Sequence, residues 1–431
     1  MSTLKVNKLR DTSGSADAIT LDPNGGAVLA GVTTMTTARV TSGIVTNTFI
    51  VGAGVTISES GIEASGIGIT CANINGGQFS NRNIIVNGAM EVDQRNAGVA
   101  TATTLSSSFF AADRMRVFLY GCGELAASLQ RVEDAPAGFH YSNKVTITTP
   151  ESTGGTPAAD DRFSMQNRIE GHDINRLSLG TSGAKDFVIS FYVKASTAGN
   201  YGLAVVNSSG SRSYCMLYAA TTSWSRVVLK VPGDTSGTYS TSNSEGLALK
   251  FGLYNGSSRS GPDQGIAGTG TWQSSSSPQG TTGQTQLGGI NSATWQITGL
   301  QLEAGTEATP FEFRNIADEV KRCSRYFQQY DGGSNSLFAT GFTAGNDFYG
   351  GNTLPMGKMR TTPSIAVTGT LSHLNYTHVA VSANVSSLTN QGSGDSSFVV
   401  RLQSTTNTTS NAGAYARLVN SNTNLEFRAE L

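Results

Sequence analysis

The chain has 431 residues, of which 51 are glycine and only 14% are charged, and its formal net charge is −1. That length admits about three domains with real cores, and sparse charge with abundant glycine suits short strands joined by turns better than long solvated helices. The near-zero charge provides no basic field for a nucleic-acid backbone, and no apolar run approaches the ~18 residues that would span a bilayer, so neither nucleic-acid binding nor membrane insertion is expected.

The opening MSTLKVNKLRD has charges where a secretory leader needs an apolar core, so the chain is expected to accumulate in the cytoplasm. TLKVNKLR reads as one short strand carrying Lys5, Lys8 and Arg10, and Asp22 to Gly26 supply a turn, which closes a first region at residues 1–26. Residues 27–82 are repetitive: AGVTTM at Ala30 to Met35 returns as AGVTIS at Ala53 to Ser58, and Val32, Ile44, Val55 and Ile67 follow glycine at recurring intervals. Burying one Val or Ile stabilises by about 1.5 to 3 kcal/mol, against an ordering cost of about 1 to 2 kcal/mol for every residue fixed. A lone ribbon with so few large apolar residues does not balance that sum. Three identical chains around a shared axis do, because each apolar side chain then meets two partners and strand edges pair between chains. The expectation is a homotrimeric β shaft; a flexible Gly/Thr linker is the competing reading.

Residues 83–314 carry the alternation of a β-sandwich. Met115, Val117 and Leu119 share a face, as do Val145 and Ile147; Phe187, Ile189, Phe191 and Val193; Val227, Leu229 and Val231; and Leu247, Leu249, Phe251 and Leu253. PGD, NGSS and TSG turns between such runs suit a jelly roll or related sandwich. Trp295 and Ile297 alternate until Gly299 shifts the phase to Leu300 and Leu302, which points to a bulge. The period then changes. Residues 315–330 read as a short linking helix with Asn315 at its N-cap and a stripe of Ile316, Val320, Cys323 and Phe327 that should pack on a sheet. Residues 331–431 form a C-terminal β domain, with Phe398, Val400 and Leu402 alternating and Leu425, Phe427, Ala429 and Leu431 in phase at the end.

Little of this points to catalysis. Cys71, Cys122, Cys215 and Cys323 are scattered, with no zinc or disulfide spacing. His140, His172, His373 and His378 show no chelating spacing, and there is no nucleophile elbow. The acidic clusters Glu133–Asp134, Asp160–Asp161 and His172–Asp173 lie beside Pro, Gly and Ser, where acids serve turns. No catalytic residue, metal or cofactor is expected.

The block TGLQLEAGTEATPFEFRNIADEVKRCSRYF resembles one that recurs in bacteriophage tail-fibre and receptor-binding proteins, through Gln301, Leu302, Glu303, Gly305, Ala308, Thr309, Pro310, Phe311 and Glu312 and then Cys323, Arg325, Tyr326 and Phe327. NRNIIVNGAMEVDQRN (Asn81 to Asn96), FAADRM (Phe110 to Met115), DFVISFYVKAS (Asp186 to Ser196), VPGDTSGTYSTSNSEGLALKF (Val231 to Phe251), LPMGKMRTTPSI (Leu354 to Ile365) and NLEFRAEL (Asn424 to Leu431) extend the resemblance across residues 81–431. It implies a mainly β chain with a carbohydrate-binding-module-like jelly roll and a distal C-terminal tip. The opening residues resemble the N-termini of structural proteins of marine phages, which makes Leu4, Lys5, Val6 and Lys8 candidates for docking on other virion proteins.

The function so implied is a trimeric tail fibre, made in the host cytoplasm and carried on the virion, that binds a host glycan or lipopolysaccharide. A head fibre, whisker or capsid appendage without receptor role is the first alternative, and a glycan depolymerase with paired carboxylates is the second. Sugar recognition uses exposed aromatic faces flanked by polar groups. Trp272 in GIAGTGTWQSSSSPQG is the exposed tryptophan candidate. Phe348 and Tyr349, in the Gly-rich FTAGNDFYGGN with Phe342, and Tyr376 in LSHLNYTHV are the candidates at the tip.

Overall fold

In the computed structural model the chain divides into two compact units, Met1–Ala72 and Asn73–Leu431. The structure describes residues 8–10, 17–21, 27–29, 48–50, 55–58 and 61–64 of the first unit and, in the second, residues 81–431 apart from 104–106, 275–276, 331–335, 345–346, 353–356, 369–370, 376–384, 405–412 and 419–423. In the first unit Lys8–Arg10, Asp17–Leu21 and Ala27–Leu29 pair as one antiparallel meander, and Thr48–Ile50, Val55–Ser58 and Gly61–Ala64 as another. The second copy of the repeat supplies the central strand of the latter; the first copy lies outside the described residues.

The second unit contains an antiparallel two-sheet sandwich. One sheet has six strands in the order Ser225–Val231, Phe187–Ala195, Thr294–Ala304, Ser142–Thr149, Ala126–Val132 and Thr101–Ala102. The other has seven, in the order Gln273–Ser274, Arg212–Ala220, Gly199–Asn207, Glu245–Asn255, Arg162–Glu170, Met115–Tyr120 and Ser107–Phe110. The alternating residues meet between them. Phe251 packs edge-on to Phe191 at 5.2 Å and tilted to Trp295 at 5.6 Å, and all three rings are fully buried. At Gly299 the backbone takes φ +61°, and the pairing with Phe187–Ala195 slips there, so Trp295, Ile297, Leu300 and Leu302 all reach the core.

The outer faces of the two sheets differ. Over the six-stranded sheet, Glu303 accepts hydrogen bonds from the Thr309 N–H and hydroxyl, and Glu312 N–H donates to Gln301, so the chain after the last strand covers that face. Over the seven-stranded sheet, a loop lies on the paired glycines Gly202 and Gly252; a Cβ on either would stand 2.3 Å from the Gln284 carboxamide oxygen. That loop stops short of Met115–Tyr120, whose alternate side chains stay accessible.

The helix spans Ile316–Ser324, and the Asn315 side chain accepts from Ala317 N–H at 2.9 Å as the N-cap. Only half of the expected stripe is buried: Cys323 and Phe327 are, Ile316 and Val320 are not. Ile316 and Val320 are 54% and 40% exposed, whereas Glu319 and Cys323 face inward. The rotation has a polar cause: Glu319 accepts from Asn87 N–H at 2.5 Å and lies 3.5 Å from the Arg314 guanidinium. Phe327, expected on the helix, instead opens the strand Phe327–Tyr330.

That strand joins Asn424–Arg428 and Ser364–Thr368 in a three-stranded sheet, with Asn424–Arg428 at the centre. A six-stranded sheet follows the order Leu371–Asn375, Gly413–Leu418, Leu337–Ala344, Asp347–Asn352, Phe398–Ser404 and Val385–Ser393. Phe338, Phe348, Val400, Leu402, Leu425 and Phe427 belong to one core. The C-terminal segment is tied to the sandwich: Glu430 pairs with Arg95 at 2.8 Å and with the buried Arg114, and Arg325 pairs with Glu170 at 2.7 Å. The described residues are thus mainly β, with a sandwich, the short helix Ile316–Ser324 leading from it, and C-terminal sheets beyond. Cys122, Cys215 and Cys323 are buried free thiols; burial pushes the first two up to about 12, and Cys71 lies outside the described residues.

Candidate functional site

Trp272, expected to be exposed, is buried. It is 8% exposed, donates its indole N–H to the Pro232 carbonyl at 2.7 Å and packs at 5.9 Å from Tyr214 and 6.3 Å from Tyr239. The polar loop folds back on the sandwich and the ring fills the gap beneath it. Phe348 is not exposed either: Leu337–Ala344 and Asp347–Asn352, which share the sequence FTAGNDFYGGN, pair as antiparallel strands, and Phe348 is fully buried in the core beneath them. The glycines there make room for packing, since a Cβ at Gly350 would lie 2.3 Å from the Phe348 ring. Tyr376 and the docking candidates Leu4, Lys5 and Val6 lie outside the described residues, and Lys8 stands on the strand Lys8–Arg10.

Tyr349 has the opposite fate to its neighbour. Alternation turns it outward, beside its cross-strand partner Phe342, which is 51% exposed. The two rings lie 5.7 Å apart at 21°, close to parallel. Next across the sheet is Arg401, whose guanidinium carbon is 5.9 Å from the centre of the Tyr349 ring and which pairs with Asp347 at 2.7 Å.

A second constellation of the same kind stands on the open part of the seven-stranded sheet. Met115, Val117 and Leu119 point inward, which turns Arg116, Phe118 and Tyr120 outward. The Phe118 and Tyr120 rings are parallel within 3° at 6.4 Å, and Tyr120 is 43% exposed. Arg162, the cross-strand partner of Tyr120, places its guanidinium 4.8 Å from that ring and pairs with Asp160 at 3.0 Å. Asp160 also binds Arg259 at 2.5 Å, and these two guanidiniums, Arg259 foremost, hold its carboxyl below the usual carboxylate range.

The floor beside these rings is polar and ordered. Arg116 donates to the Gln166 side-chain oxygen at 3.0 and 3.2 Å, Gln166 donates to Gln279 at 2.8 Å, and the buried Lys250 donates to the Ser277 hydroxyl at 2.8 Å. Burial lowers the Lys250 ammonium to about 8. Each constellation therefore combines two near-parallel aromatic rings with an Arg–Asp pair whose Arg lies by the Tyr ring. Ring faces take apolar C–H surface and the ion pair takes hydroxyls, a combination suited to a sugar. Sequence reading passed over Phe118 and Tyr120, although Met115, Val117 and Leu119 already imply their outward facing.

Of the acidic clusters, Asp160 belongs to the Phe118–Tyr120 constellation, and Asp134 and Asp161 are engaged elsewhere. Asp134 holds Lys194 at 2.5 Å and the Trp224 indole at 3.1 Å, and Asp161 accepts from Ala158 N–H at 2.8 Å. His172 is exposed at the start of a short helix, Gly171–Ile174.

No protein-family model and no curated protein matches the chain. Among solved structures it is similar to the CBM22-1 xylan-binding domain of Paenibacillus barcinonensis Xyn10C, at 10% identity and a TM-score of 0.26, over 55% of this chain and 100% of that one. The family 11 carbohydrate-binding module of cellulosomal cellulase Lic26A-Cel5E of Clostridium thermocellum matches at 13% identity and a TM-score of 0.24, over 48% and 100%. The enzymatically active domain of bacteriophage CBA120 tailspike protein 4 matches at 10% and 0.25, over 52% of this chain and 21% of that one. Similarities of this size carry no functional argument.

Proposed function

We propose that this protein is a bacteriophage tail fibre that docks on the particle through its N-terminal segment, associates as a homotrimer and binds a host cell-surface glycan through its two β bodies. The Phe118–Tyr120 and Phe342–Tyr349 rings are the sugar contacts, with Arg162–Asp160 and Arg401–Asp347 as their polar flanks. The observation that carries this reading is the recurrence of one aromatic and Arg–Asp constellation on two different sheets. The ordered blocks over residues 81–431 that resemble those of tail-fibre proteins support the biological setting.

Association follows from the N-terminal unit. A three-stranded meander has two edge strands, and strands of three to five residues bury too little to stand alone, so neighbouring copies are the available shelter. Threefold display then multiplies weak sugar contacts through effective concentration. The protein acts by binding, without chemistry: the engagement of Asp134, Asp160 and Asp161 in ion pairs and turns supports that reading. It is made in the host cytoplasm and resides on the virion.

A glycan array probed with the full-length protein tests the proposal. Wild type should bind one class of surface glycan, and Tyr120→Ala and Tyr349→Ala should each weaken that binding about 2- to 10-fold, since an aromatic pair contributes about 0.5 to 1.5 kcal/mol beyond its area. A folded Tyr120→Ala/Tyr349→Ala double variant with the wild-type profile would exclude these rings as contacts. Labelling of the tail in micrographs of the virion is expected; labelling confined to the head would favour the appendage reading.

A further inference from the structure

The two ring platforms differ in the charge that adjoins them. Outward side chains of the seven-stranded sheet form rows across it, and the row next to Phe118 runs Arg116, Gln166 and Lys250 on three adjacent strands. Gln166 donates to the Ser164 hydroxyl at 2.9 Å and to Gln279 at 2.8 Å, which turns its side-chain oxygen toward Arg116. That oxygen accepts from Nε and Nη2 of Arg116, so the guanidinium is held in one orientation while its Nη1 group has no partner among the described residues. Arg116 is half-buried, and its guanidinium carbon lies 5.7 Å from the centre of the Phe118 ring.

The partners of both cations in this row are neutral: a carboxamide oxygen for Arg116 and the Ser277 hydroxyl for Lys250. The carboxylates around them are already matched. Glu245 binds Arg168 at 2.8 Å, Glu430 binds Arg95 and Arg114, and Asp160 binds both Arg162 and Arg259. Burial, and after it Arg168, pull the Arg116 guanidinium down to about 10, as befits a cation short of negative neighbours. At the Phe342–Tyr349 platform, by contrast, Arg401 and Asp347 offset each other at 2.7 Å. A chain with a formal net charge of −1 therefore keeps an unbalanced positive spot at the edge of one ring face. An oriented guanidinium with a free edge matches the paired oxygens of a carboxylate, sulfate or phosphate.

We propose that the Phe118–Tyr120 platform selects glycans that contain an anionic unit, whose carboxylate, sulfate or phosphate binds the free edge of Arg116 while the adjoining sugar ring stacks on Phe118. Lys250, 5% exposed, contributes charge without contact. The Phe342–Tyr349 platform takes the same glycan without that preference. The inference rests on the two platforms being sugar sites and adds the chemistry of the sugar that one of them takes.

An array carrying each anionic glycan beside its neutral counterpart, made by carboxyl reduction, desulfation or dephosphorylation, tests this with the full-length Tyr349→Ala chain, in which the second platform is weakened. Binding should fall about 10- to 100-fold from the anionic to the neutral member of the responding pair, and that pair identifies the oxyanion. Added salt should shrink the difference. Introduced into the same chain, Arg116→Gln should bind both members at the neutral level and Arg116→Lys should recover part of the preference, each with an unchanged melting profile. Equal binding of both members by the Tyr349→Ala chain, which leaves Arg116 untouched, would overturn this proposal and leave the glycan reading in place, and so would a folded Arg116→Gln chain that keeps the preference. A wild type that binds no glycan would overturn both.

Discussion

Glu430→Ala removes the carboxylate on which the junction between the sandwich and the C-terminal sheets turns. Arg114 is 4% exposed, stacks 3.5 Å from the Tyr326 ring, donates to the Arg168 carbonyl at 2.5 Å and has Glu430 as its bonded carboxylate among the described residues. Deleting one partner of a buried pair costs about 3 to 5 kcal/mol because the other charge is left uncompensated. Glu430 is 14% exposed, so some solvent reaches the vacated site and about 2 to 4 kcal/mol is the expected loss. Arg95 softens nothing, since it retains Asp113 at 3.3 Å while losing Glu430 at 2.8 Å. Urea unfolding followed by fluorescence of the buried Trp295 measures the change, and Arg114→Met/Glu430→Ala should recover part of it because the guanidinium left without its carboxylate is then gone. A loss below about 0.5 kcal/mol, or strictly additive single variants, would refute the view that this pair locks the two parts together.

Three further outcomes follow from the packing. Trp272→Ala should destabilise the sandwich by about 3 to 5 kcal/mol in thermal melts while the folded fraction keeps its glycan profile, because the ring is a core element. Gly299→Ala combines a left-handed backbone at φ +61° with a Cβ 2.7 Å from the Phe139 ring, and should cost about 1 to 3 kcal/mol in the same assay. Burial outweighs Arg95 and Gln94 and raises the Asp113 carboxyl to about 6, so the folded chain holds that proton more tightly than the unfolded chain does, at about 3.9. The associated stability is complete below about pH 4 and is lost as pH rises through about 6. Asp113→Asn should flatten the slope of stability against pH in that window; an unchanged slope would place the titration elsewhere.

The strands were legible in the sequence wherever period-two alternation ran unbroken, as in Phe187–Val193 and Leu247–Leu253, because one buried face fixes the register. Even the Gly299 bulge announced itself as a change of phase. The helix was legible as an element but not in its orientation: apolar Ile316 and Val320 suggested the buried stripe, and only the structure brings Asn87 N–H within reach of Glu319. Glycine misled at the tip. FTAGNDFYGGN reads as a loop until Phe348 is seen lying over Gly350, where the missing Cβ is a packing requirement. The same limit hid the platforms. Alternation tells that Phe118 and Tyr120 face outward, whereas only the pairing of strands sets Arg162, with its near neighbour Asp160, beside Tyr120, and brings Arg401 to Asp347 by Tyr349. Trp272 was misjudged because its apolar neighbours, Tyr214 and Tyr239, come from other segments.

The most direct measurement of the account is the number of sugar sites per chain, obtained by calorimetric titration of the full-length protein with the oligosaccharide selected on the array. Two sites are predicted for wild type, one of them weakened about 2- to 10-fold in either Tyr120→Ala or Tyr349→Ala, and both so weakened in the double variant. A single site in wild type, or wild-type affinity at both sites in a folded double variant, would contradict the assignment of both platforms.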